Sequence, residues 1–364
     1  ILYSGTSLTI VATNMYAGIS KFLLLAIPFF VLSGNIMAKA GISKRLVRFV
    51  DTCVGHKRGG IAIVCVIVAC FFGAISGSGP ATVAALGAVL IPAMVERGGF
   101  SAPFSTALMA TSSSIAIVIP PSIAFVVYAS ITGVSIGDMF MAGIVPGILM
   151  GLALIVVVML EVRKNHVVPS NVQKASAKER LDAFKDAFWG FLMPVIILGG
   201  IYGGIFTPTE AAAVSVVYGL FVGMVIYKEV KLKDLWDILI DSAKTTGGIM
   251  LIVACASLFS FVCTRFGISA AASQLLAKVA GNQFTFLLIC NVIFLIAGCF
   301  IDANSAMYIF IPIMLPVCKA LGYNVIAFGI MATVNLAIGQ VTPPVGVNLF
   351  VAIGVKLRDG IRVT

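Results

Sequence analysis

The amino-acid sequence predicts an all-α, polytopic membrane protein built from two inverted repeats, each a re-entrant hairpin followed by a broken helix. Three observations carry this prediction. First, 60% of the 364 residues are hydrophobic, only 10% are charged, and mean hydropathy is +1.12. Second, short Ser, Gly and Pro stretches divide the apolar runs, and third, one order of motifs occurs twice. A water-soluble fold of this size could not cover so much apolar surface, which excludes a soluble enzyme.

The net charge of +10 does not indicate a nucleic-acid partner. Lys and Arg fall in short clusters between apolar runs, as the positive-inside rule expects of cytoplasmic loops, and no basic stripe alternates with aromatic residues. The eight Cys include no C-x-x-C pair, and the two His, His56 and His166, lie in basic loops. Since Walker A, nucleophile-elbow and H-E-x-x-H motifs are also absent, the sequence predicts neither an enzyme nor a cofactor.

Residues 1–58 are predicted to form an N-terminal scaffold helix, at 20–38, and a cytoplasmic loop. The loop assignment rests on six Lys and Arg against a single Asp51. The chain begins with Ile1 rather than Met and stops just after a basic stretch, so we expect both ends to be truncated and a further span or partner upstream.

Residues 59–133 form the first predicted repeat. Its hairpin, 60–96, consists of two apolar runs around a Ser/Gly/Pro stretch at 76–80, and each run is short for a bilayer crossing of about 20 residues. A polar tip at membrane depth is typical of a re-entrant hairpin. The helix at 104–131 contains a triple serine at 112–114 and Pro120-Pro121, and because proline removes a backbone donor, this helix must be discontinuous.

Residues 134–282 are predicted to be scaffold helices joined by a cytoplasmic linker at 163–187. An interfacial amphipathic helix is expected at 228–244, where apolar residues recur at helical spacing, followed by a crossing at 246–264. The turn Pro208-Thr209-Glu210 has two interpretations, a helix N-cap with Glu in the first turn or a contact for a partner outside the membrane.

Residues 283–357 form the second predicted repeat, a hairpin at 283–320 around a polar stretch at 301–305 and a broken helix at 325–356 around 339–344. Counting crossings gives the two hairpins opposite membrane orientations. Of the 24 Lys and Arg, the resulting topology leaves only four outside, namely Lys21, Arg265, Lys278 and Lys319. The topology and the charge bias therefore agree.

The motif order is the same in both repeats. Met109-Ala110-Thr111 precedes Pro120-Pro121 by eleven residues, and Met331-Ala332-Thr333 precedes Pro343-Pro344 by twelve. The second arm of each hairpin also holds an Ile-Pro pair, at Ile91-Pro92 and Ile311-Pro312. Two such copies in opposite orientation are typical of secondary transporters, whose binding site lies near the midplane where interrupted helices meet.

Four motifs resemble those of the large membrane subunit of TRAP (tripartite ATP-independent periplasmic) transporters, and the resemblance runs from about Leu23 to the C-terminus. They are FFVLSGN at 29–35, GHKRGG at 55–60, FGAISGS at 72–78 and GQVTPPVG at 339–346. The resemblance implies an ion-transporter-superfamily elevator fold in the bacterial inner membrane. It also implies Na+-driven import of an organic acid, of the sialic-acid or C4-dicarboxylate type, delivered by a periplasmic binding protein. A small four-helix membrane subunit, separate or fused upstream, would complete the scaffold.

The expected Na+ ligands are backbone and hydroxyl oxygens. The family's ion sites map to the first hairpin tip and the second break, and repeat symmetry adds the second tip and the first break. The first hairpin tip is expected to face the second break, and the second tip the first break, giving Ser76, Gly77, Ser78, Gly339, Thr342, Ser113, Ser114, Pro120, Asp302 and Asn304 as sodium-binding residues. The candidates for binding the substrate are Ser78, Ser122, Asp302 and Asn348. No Arg that could clamp a carboxylate is evident at the tips.

Structural alternatives remain open for several of these residues. Serines in apolar helices often donate to the preceding turn. Asp302, the only carboxylate inside a predicted membrane segment, either binds a cation or substrate or caps the next helix through the amides that follow it.

Three alternative functions make different demands on the sequence. A stand-alone Na+/carboxylate or anion transporter of the same architecture would need no binding protein. An intramembrane enzyme would need a nucleophile–base pair or metal ligands at membrane depth, whereas Asp302 has no His partner. A purely structural subunit would leave two matched broken repeats unexplained.

Overall fold

Helices form every regular element that a computed structural model describes for residue 7 and for residues 9–164 and 174–355. Short 3₁₀ turns lie at Phe22–Leu25 and Ile115–Ile117, and a π turn at Val222–Ile226. The α-helices are α1 (Thr9–Ile19), α2 (Ala26–Lys39), α3 (Ile42–Val54), α4 (Gly60–Ser76), α5 (Gly79–Glu96), α6 (Ala102–Ser114), α7 (Ile123–Thr132), α8 (Ile136–Lys164), α9 (Ala177–Tyr202), α10 (Pro208–Phe221), α11 (Leu232–Arg265), α12 (Ile268–Ala280), α13 (Gln283–Phe300), α14 (Ala303–Ala320), α15 (Val325–Gly339) and α16 (Val347–Ile353).

Eight of the described helices are long and apolar enough to cross a membrane. The longest apolar ones, α8 and α11, have 29 and 34 residues, and at about 1.5 Å per residue both exceed a hydrocarbon core of roughly 30 Å. The prediction of an all-helical, polytopic membrane protein is therefore confirmed.

The two hairpins have the predicted bounds. Hairpin 1 is α4 and α5, joined at Gly77 and Ser78, and hairpin 2 is α13 and α14, joined at Ile301 and Asp302. The first broken helix is α6, a 3₁₀ turn and α7, with an irregular stretch at 118–122 that we call break 1. The second is α15 and α16, separated at 340–346, which we call break 2. The predicted end of that helix, at 356, lies outside the described residues.

The basic segment predicted as a cytoplasmic loop is largely helical, so that part of the prediction was wrong. Helix α3 buries Ile42, Leu46 and Val50, which recur every four residues and so share one face. Clustered Lys and Arg are typical of a loop, but the spacing of the apolar residues in the same segment also fits an amphipathic helix. The second half of the predicted linker is helical too, because α9 begins at Ala177 behind a capping box of Ser176 and Glu179, whereas 165–173 lie outside the described residues.

The expected amphipathic helix at 228–244 is not a separate element. It continues without interruption into the crossing that follows, as the single helix α11. Gly247 and Gly248 lie within it, and glycine costs only about 1 kcal/mol in a helix, which is too little to end one that has no proline.

The turn at 208–210 is a helix N-cap. The Thr207 hydroxyl accepts the Glu210 amide N–H at 3.3 Å, and the Glu210 carboxylate accepts the Thr207 N–H at 2.8 Å. The capping interpretation is thus confirmed for these side chains.

Candidate functional site

The tip of hairpin 1 is folded onto break 1. Gly77 has φ +61°, and a Cβ there would lie 2.7 Å from the carbonyl oxygen of Pro121, so only glycine fits. The Ile123 amide donates to the Gly77 carbonyl at 3.4 Å. Within the tip, the Ser76 and Thr82 hydroxyls are 2.9 Å apart, and Thr82 also donates to the Ser78 carbonyl. The hydroxyls of the tip are therefore already ordered by one another.

Break 1 is bounded by serines that bond locally. Ser113 and Ser114 donate to carbonyls of the preceding turn at 2.6 and 2.8 Å, the structural alternative noted for them. Ser122 accepts the Phe125 N–H and donates to the Ile117 carbonyl at 2.5 Å, so it caps α7 and closes the break. Ser112 is buried beside these residues.

At the tip of hairpin 2, Asp302 caps α14. Its carboxylate accepts the amide N–H groups of Asn304 and Ser305 at 2.9 and 3.3 Å and also the Ser305 hydroxyl. The side-chain oxygen of Asn304 is buried without a partner. Asp302 thus caps a helix, which is the structural alternative given for it above. Since a carboxylate offers about four lone-pair sites, capping leaves room for another ligand.

Break 2 is tied both to its own hairpin and back onto itself. The Val345 amide donates to the Cys299 carbonyl at 3.0 Å, and the Asn348 amide donates to the Gln340 carbonyl at 3.0 Å. A Cβ on Gly339 would lie 2.4 Å from the backbone of Gly298, so α13 and α15 approach closely only because both positions are glycine.

Close contacts in the first half of the chain have counterparts in the second half. The approach of Gly298 to Gly339 is matched by that of Gly73 to Ala116, where a Cβ on Gly73 would lie 2.8 Å from the neighbouring backbone. Ala116 and Gly339 each lie four residues before a double proline, and both Pro-Pro bonds are cis. Helix α7 packs on α14 of the other half, and α16 packs on α5.

The sequence expectation paired each tip with the opposite break. The backbone bonds instead join each hairpin to its own break, at Gly77 with Ile123 and at Cys299 with Val345. One contact crosses between the halves as expected, since Gly79 at the start of α5 lies against the side chains of Gln340 and Asn348. Tip 1 therefore touches both breaks.

Both tips and both broken helices meet at one cavity of about 570 Å³, which α2 and α11 close from the other side. Its polar lining comes from six side chains, Asn35, Ser78, Thr245, Asp302, Asn304 and Gln340. Among the described residues that line it, Asp302 is the only charged one. A second cavity of about 70 Å³ adjoins it and shares residues of α2, α5 and α11.

Three helices of ten or more residues begin at the wall of the large cavity. These are α5, α7 and α14, whose first residues line it at Pro80, Ile123 and Ala303. The partial positive charge of a helix N-terminus attracts anions. Ser122 and Asp302 cap α7 and α14, but Ser78 forms no side-chain cap on α5. Since Pro80 has no N–H and the Thr82 amide donates to the Ser78 carbonyl, the amides without a side-chain cap are those of Gly79 and Ala81.

Only part of the predicted set lines the large cavity. Gly77, Ser78, Asp302 and Asn304 do, and Ser76 lines the smaller one. The remaining predicted residues line neither cavity, namely Gly339, Thr342, Ser113, Ser114, Pro120, Ser122 and Asn348.

Three polar lining residues were not among the predicted ligands. Asn35 belongs to the quoted FFVLSGN motif and Gln340 to GQVTPPVG, so those motifs were a signal that could have found them. Thr245 lies on α11 and carries no local signal in the sequence.

A helical bundle with eight described helices able to cross a membrane, and a cavity with polar groups at two helix breaks, is typical of a multi-pass transporter rather than a soluble catalyst. Residues 1–363 match the family model described as "Tripartite ATP-independent periplasmic transporter, DctM component". The chain belongs to this family, the large permeases of TRAP transporters, which confirms the resemblance. It is a multi-pass integral protein of the bacterial inner membrane and the large permease of a secondary transporter of organic acids.

Named relatives cover different acids. The chain is 42% identical to the C4-dicarboxylate TRAP transporter large permease DctM of Pseudomonas aeruginosa, across 96% of this chain and 82% of that protein. It is 36% identical to the sialic acid TRAP transporter large permease SiaM of Vibrio cholerae, over 96% and 82%. It is also 42% identical to the isethionate TRAP transporter permease DctMQ of Oleidesulfovibrio alaskensis, over 95% of this chain but 54% of that protein.

Proposed function

We propose that this permease imports an organic acid anion by Na+ symport, with the anion bound in the 570 Å³ cavity and moved by an elevator motion of the two hairpins and two broken helices against the other helices. The observation that carries the proposal is the composition of the cavity wall. Three helix N-termini, one of them without a side-chain cap, and neutral amide and hydroxyl groups surround the cavity. Within the described chain its one carboxylate, Asp302, is bonded to the amides and hydroxyl that it caps, and no Lys, Arg or His lines the cavity. Such a wall attracts an anion without a buried cationic clamp.

The inverted-repeat arrangement is part of this proposal. The matched close approaches at Gly73 and Gly298, and the exchanged packing of α7 on α14 and α16 on α5, support it. Two hairpins in opposite membrane orientations would let the cavity open to either side in turn, which is what alternating access requires.

Sodium ions are proposed at the tips and breaks. A hydroxyl that donates to a carbonyl, as those of Ser113 and Ser114 do, keeps its own lone pairs for a cation. The carboxylate of Asp302 at tip 2 and the crowded carbonyls at tip 1, where Gly77 meets Pro121, supply further hard oxygen ligands. The other residues proposed as ligands remain those named from the sequence.

Sodium coupling supplies enough free energy for concentrative uptake. Two Na+ entering with a monoanion move one net charge, worth about 2.3 kcal/mol per 100 mV. A tenfold Na+ gradient adds about 1.4 kcal/mol per ion. The total of roughly 5 kcal/mol corresponds to several-thousand-fold accumulation.

A small membrane subunit and a periplasmic binding protein are proposed as partners. The name DctMQ and the half-length match to that relative support a small subunit that is fused in some family members and separate in others. The acid itself is proposed to be a C4-dicarboxylate, a sialic acid or a related acid, as the names of the relatives indicate.

The proposal is tested by uptake into proteoliposomes that contain the permease with its small subunit and binding protein. Uptake should require an inward Na+ gradient and should not respond to a K+ gradient of the same size. Asp302→Ala and Ser76→Ala should each abolish most uptake, whereas Asp237→Ala, which changes an exposed carboxylate on α11, should not. Uptake that ignores the Na+ gradient would contradict symport, and uptake without the binding protein would favour a stand-alone carrier.

A further inference from the structure

Gln340 is a buried amide on the wall of the cavity. Its exposed fraction is 5%, and it lies at the start of break 2, directly after α15. The side-chain oxygen Oε1 is sealed from solvent and has no hydrogen-bond partner. The amide nitrogen Nε2 has no hydrogen-bond partner within the described part of the chain, and it is not sealed from the cavity as Oε1 is. A buried polar atom without a partner is uncommon. Because Oε1 is an acceptor, only the nitrogen end of this amide can donate to an anion.

Asn348 is wholly buried behind Gln340. Its exposed fraction is 0%, and neither polar atom of its side chain has a partner. Its backbone N–H donates to the Gln340 carbonyl, which folds break 2 into a loop that holds both residues together. Asn348 lines neither cavity, so it cannot touch a bound anion directly.

Gly79 brings the tip of hairpin 1 against both amides. A Cβ on Gly79 would lie 2.6 Å from the Asn348 nitrogen Nδ2 and 2.9 Å from Gln340 Oε1. No side chain can occupy such a position without displacing one of the amides. Gln340 Oε1 therefore faces the tip of hairpin 1, which leaves the nitrogen end of the same amide for the cavity.

From this geometry we infer that Gln340 is a specificity-determining residue that donates its side-chain N–H to the anionic group of the substrate, and that Asn348 positions it. This inference rests on the proposed function, since it concerns the anion in the same cavity. The N–H donor is neutral, so it adds direction to the attraction that the uncapped N-terminus of α5 supplies. Gln340 lies against Gly79 of the first half, so an anion bound to Gln340 would lie where residues of both halves line the cavity.

Hydrogen bonds to charged groups change affinity by about ten- to hundredfold. Gln340→Met keeps the length of the side chain and removes both donors, so the affinity for the acid should fall by at least about tenfold. Gln340→Glu puts an acceptor and a negative charge in the same place, and the affinity should fall further. The Na+ affinity should change by less than about twofold in Gln340→Met, since the inference assigns Gln340 to the anion alone.

The experiment is a thermal-shift titration of the purified, detergent-solubilised permease, which measures binding without the binding protein. The probes are succinate, N-acetylneuraminate and isethionate in saturating Na+, and then Na+ alone. Gln274→Glu makes the same chemical change on the exposed face of α12 and serves as the matched control. The unfolding midpoint of each variant without ligand shows whether it is folded.

A lower acid affinity in both Gln340 variants, with the Na+ affinity of Gln340→Met and the Gln274→Glu control unchanged, is the expected result. An unchanged acid affinity in folded Gln340→Met would overturn the inference and leave the proposed function intact. Na+ and acid affinities that fall together would assign Gln340 to the ion site or to the fold, and would also overturn it. A wild type that binds none of the three acids would remove the anion site and the inference with it, whereas symport would still be decided by uptake.

Discussion

Helices α3 and α12 occupy corresponding positions in the two halves but differ in how they are packed. Each has 13 residues, follows a glycine with φ near +70° at Gly41 or Gly267, begins with Ile-Ser, and leads into a hairpin. Helix α3 buries one apolar face, whereas most residues of α12 are exposed. The two halves thus share a connection but differ in how firmly it is held.

Charge and aromatic packing account for the difference. Arg45 on α3 donates to Glu229 at 2.6 Å and to the Ala40 carbonyl at 2.9 Å, and it lies 3.8 Å above the ring of Tyr227. Phe49 on the same helix packs on Phe184 and Phe191 of α9. For α12, no ion pair occurs within the described chain, and its Ser273 hydroxyl donates to a carbonyl of α14 at 2.6 Å.

Burial shifts the pKa of Tyr227, whose ring lies beneath Arg45. It raises the pKa of the phenol to about 12, although the Arg45 guanidinium above the ring opposes that shift. Tyr227 therefore stays neutral across the physiological range and donates its hydroxyl proton to the Asp186 carbonyl at 2.5 Å. The comparison teaches that hairpin 1 is anchored to the surrounding helices through α3, while hairpin 2 has a looser connection through α12.

The largest expected effect comes from the buried face of α3. Leu46 is 1% exposed and Leu275 on α12 is 65% exposed, so Leu→Ala is a matched pair of substitutions. Leu46→Ala should destabilise the protein by about 2–4 kcal/mol, because a buried leucine leaves a cavity, and Leu275→Ala by less than about 0.5 kcal/mol. The measurement is the unfolding midpoint in detergent. Equal losses at the two sites would break the comparison.

Arg45→Ala should have the next largest effect, about 1–2 kcal/mol, since one side chain serves a carboxylate, a carbonyl and a ring. Lys44→Ala, an exposed neighbour on the same helix, is the control and should change little. Denaturation curves of the two variants give the comparison. If Lys44→Ala costs as much as Arg45→Ala, the anchoring does not depend on these contacts.

Ser273→Ala removes the hydrogen bond from α12 to α14 and should cost about 0.5–1.5 kcal/mol. The effect should be local, with faster amide exchange in α12 and no change in α3. Hydrogen–deuterium exchange of both helices measures it. Faster exchange in α3 as well would mean that the two connections are not independent.

The smallest effect is expected for the pair of Arg97 and Asp51, which joins the base of hairpin 1 to α3 at 3.0 Å. Both side chains are partly exposed, so Asp51→Asn should cost only about 0.2–1 kcal/mol. The loss should shrink in high salt because exposed charges are screened. A loss that is unaffected by salt would show that the Asp51 carboxylate acts through something other than this pair.

Much of the fold could be predicted because the residues that interrupt its helices form short local motifs. The Ser/Gly/Pro stretch after Ser76 and the Asp302 stretch divide apolar runs, and the bounds of both hairpins followed from them. Helix α3 is hard to predict because its clustered charges resemble those of a loop. The Gly-Ile-Ser with which both connecting helices start, at Gly41 and Gly267, is a further repeat signal in the sequence.

Less of the candidate site could be predicted, because a lining position depends on packing between segments far apart in the chain. Asp302 and Ser78 could be named since tips of hairpins converge. The sequence predicts Asn348 as a substrate ligand. In the structure Gly79 and Gln340 cover it, and Gly79 is more than 250 residues away in the sequence. Gln340 sits in a polar break in which no local pattern tells the side chain that lines the cavity from its neighbours.

Cysteine protection inside the cavity tests the central claim most directly. Ala84 lines the cavity from α5 without a polar role, so a permease freed of its eight cysteines and carrying Ala84→Cys reports access to the site. With Na+ and a bound organic acid, alkylation of this cysteine should slow several-fold, while that of a Val279→Cys control on exposed α12 should not change. An alkylation rate at Ala84→Cys that stays the same while the acid is bound would contradict the account, because the acid would then lie elsewhere.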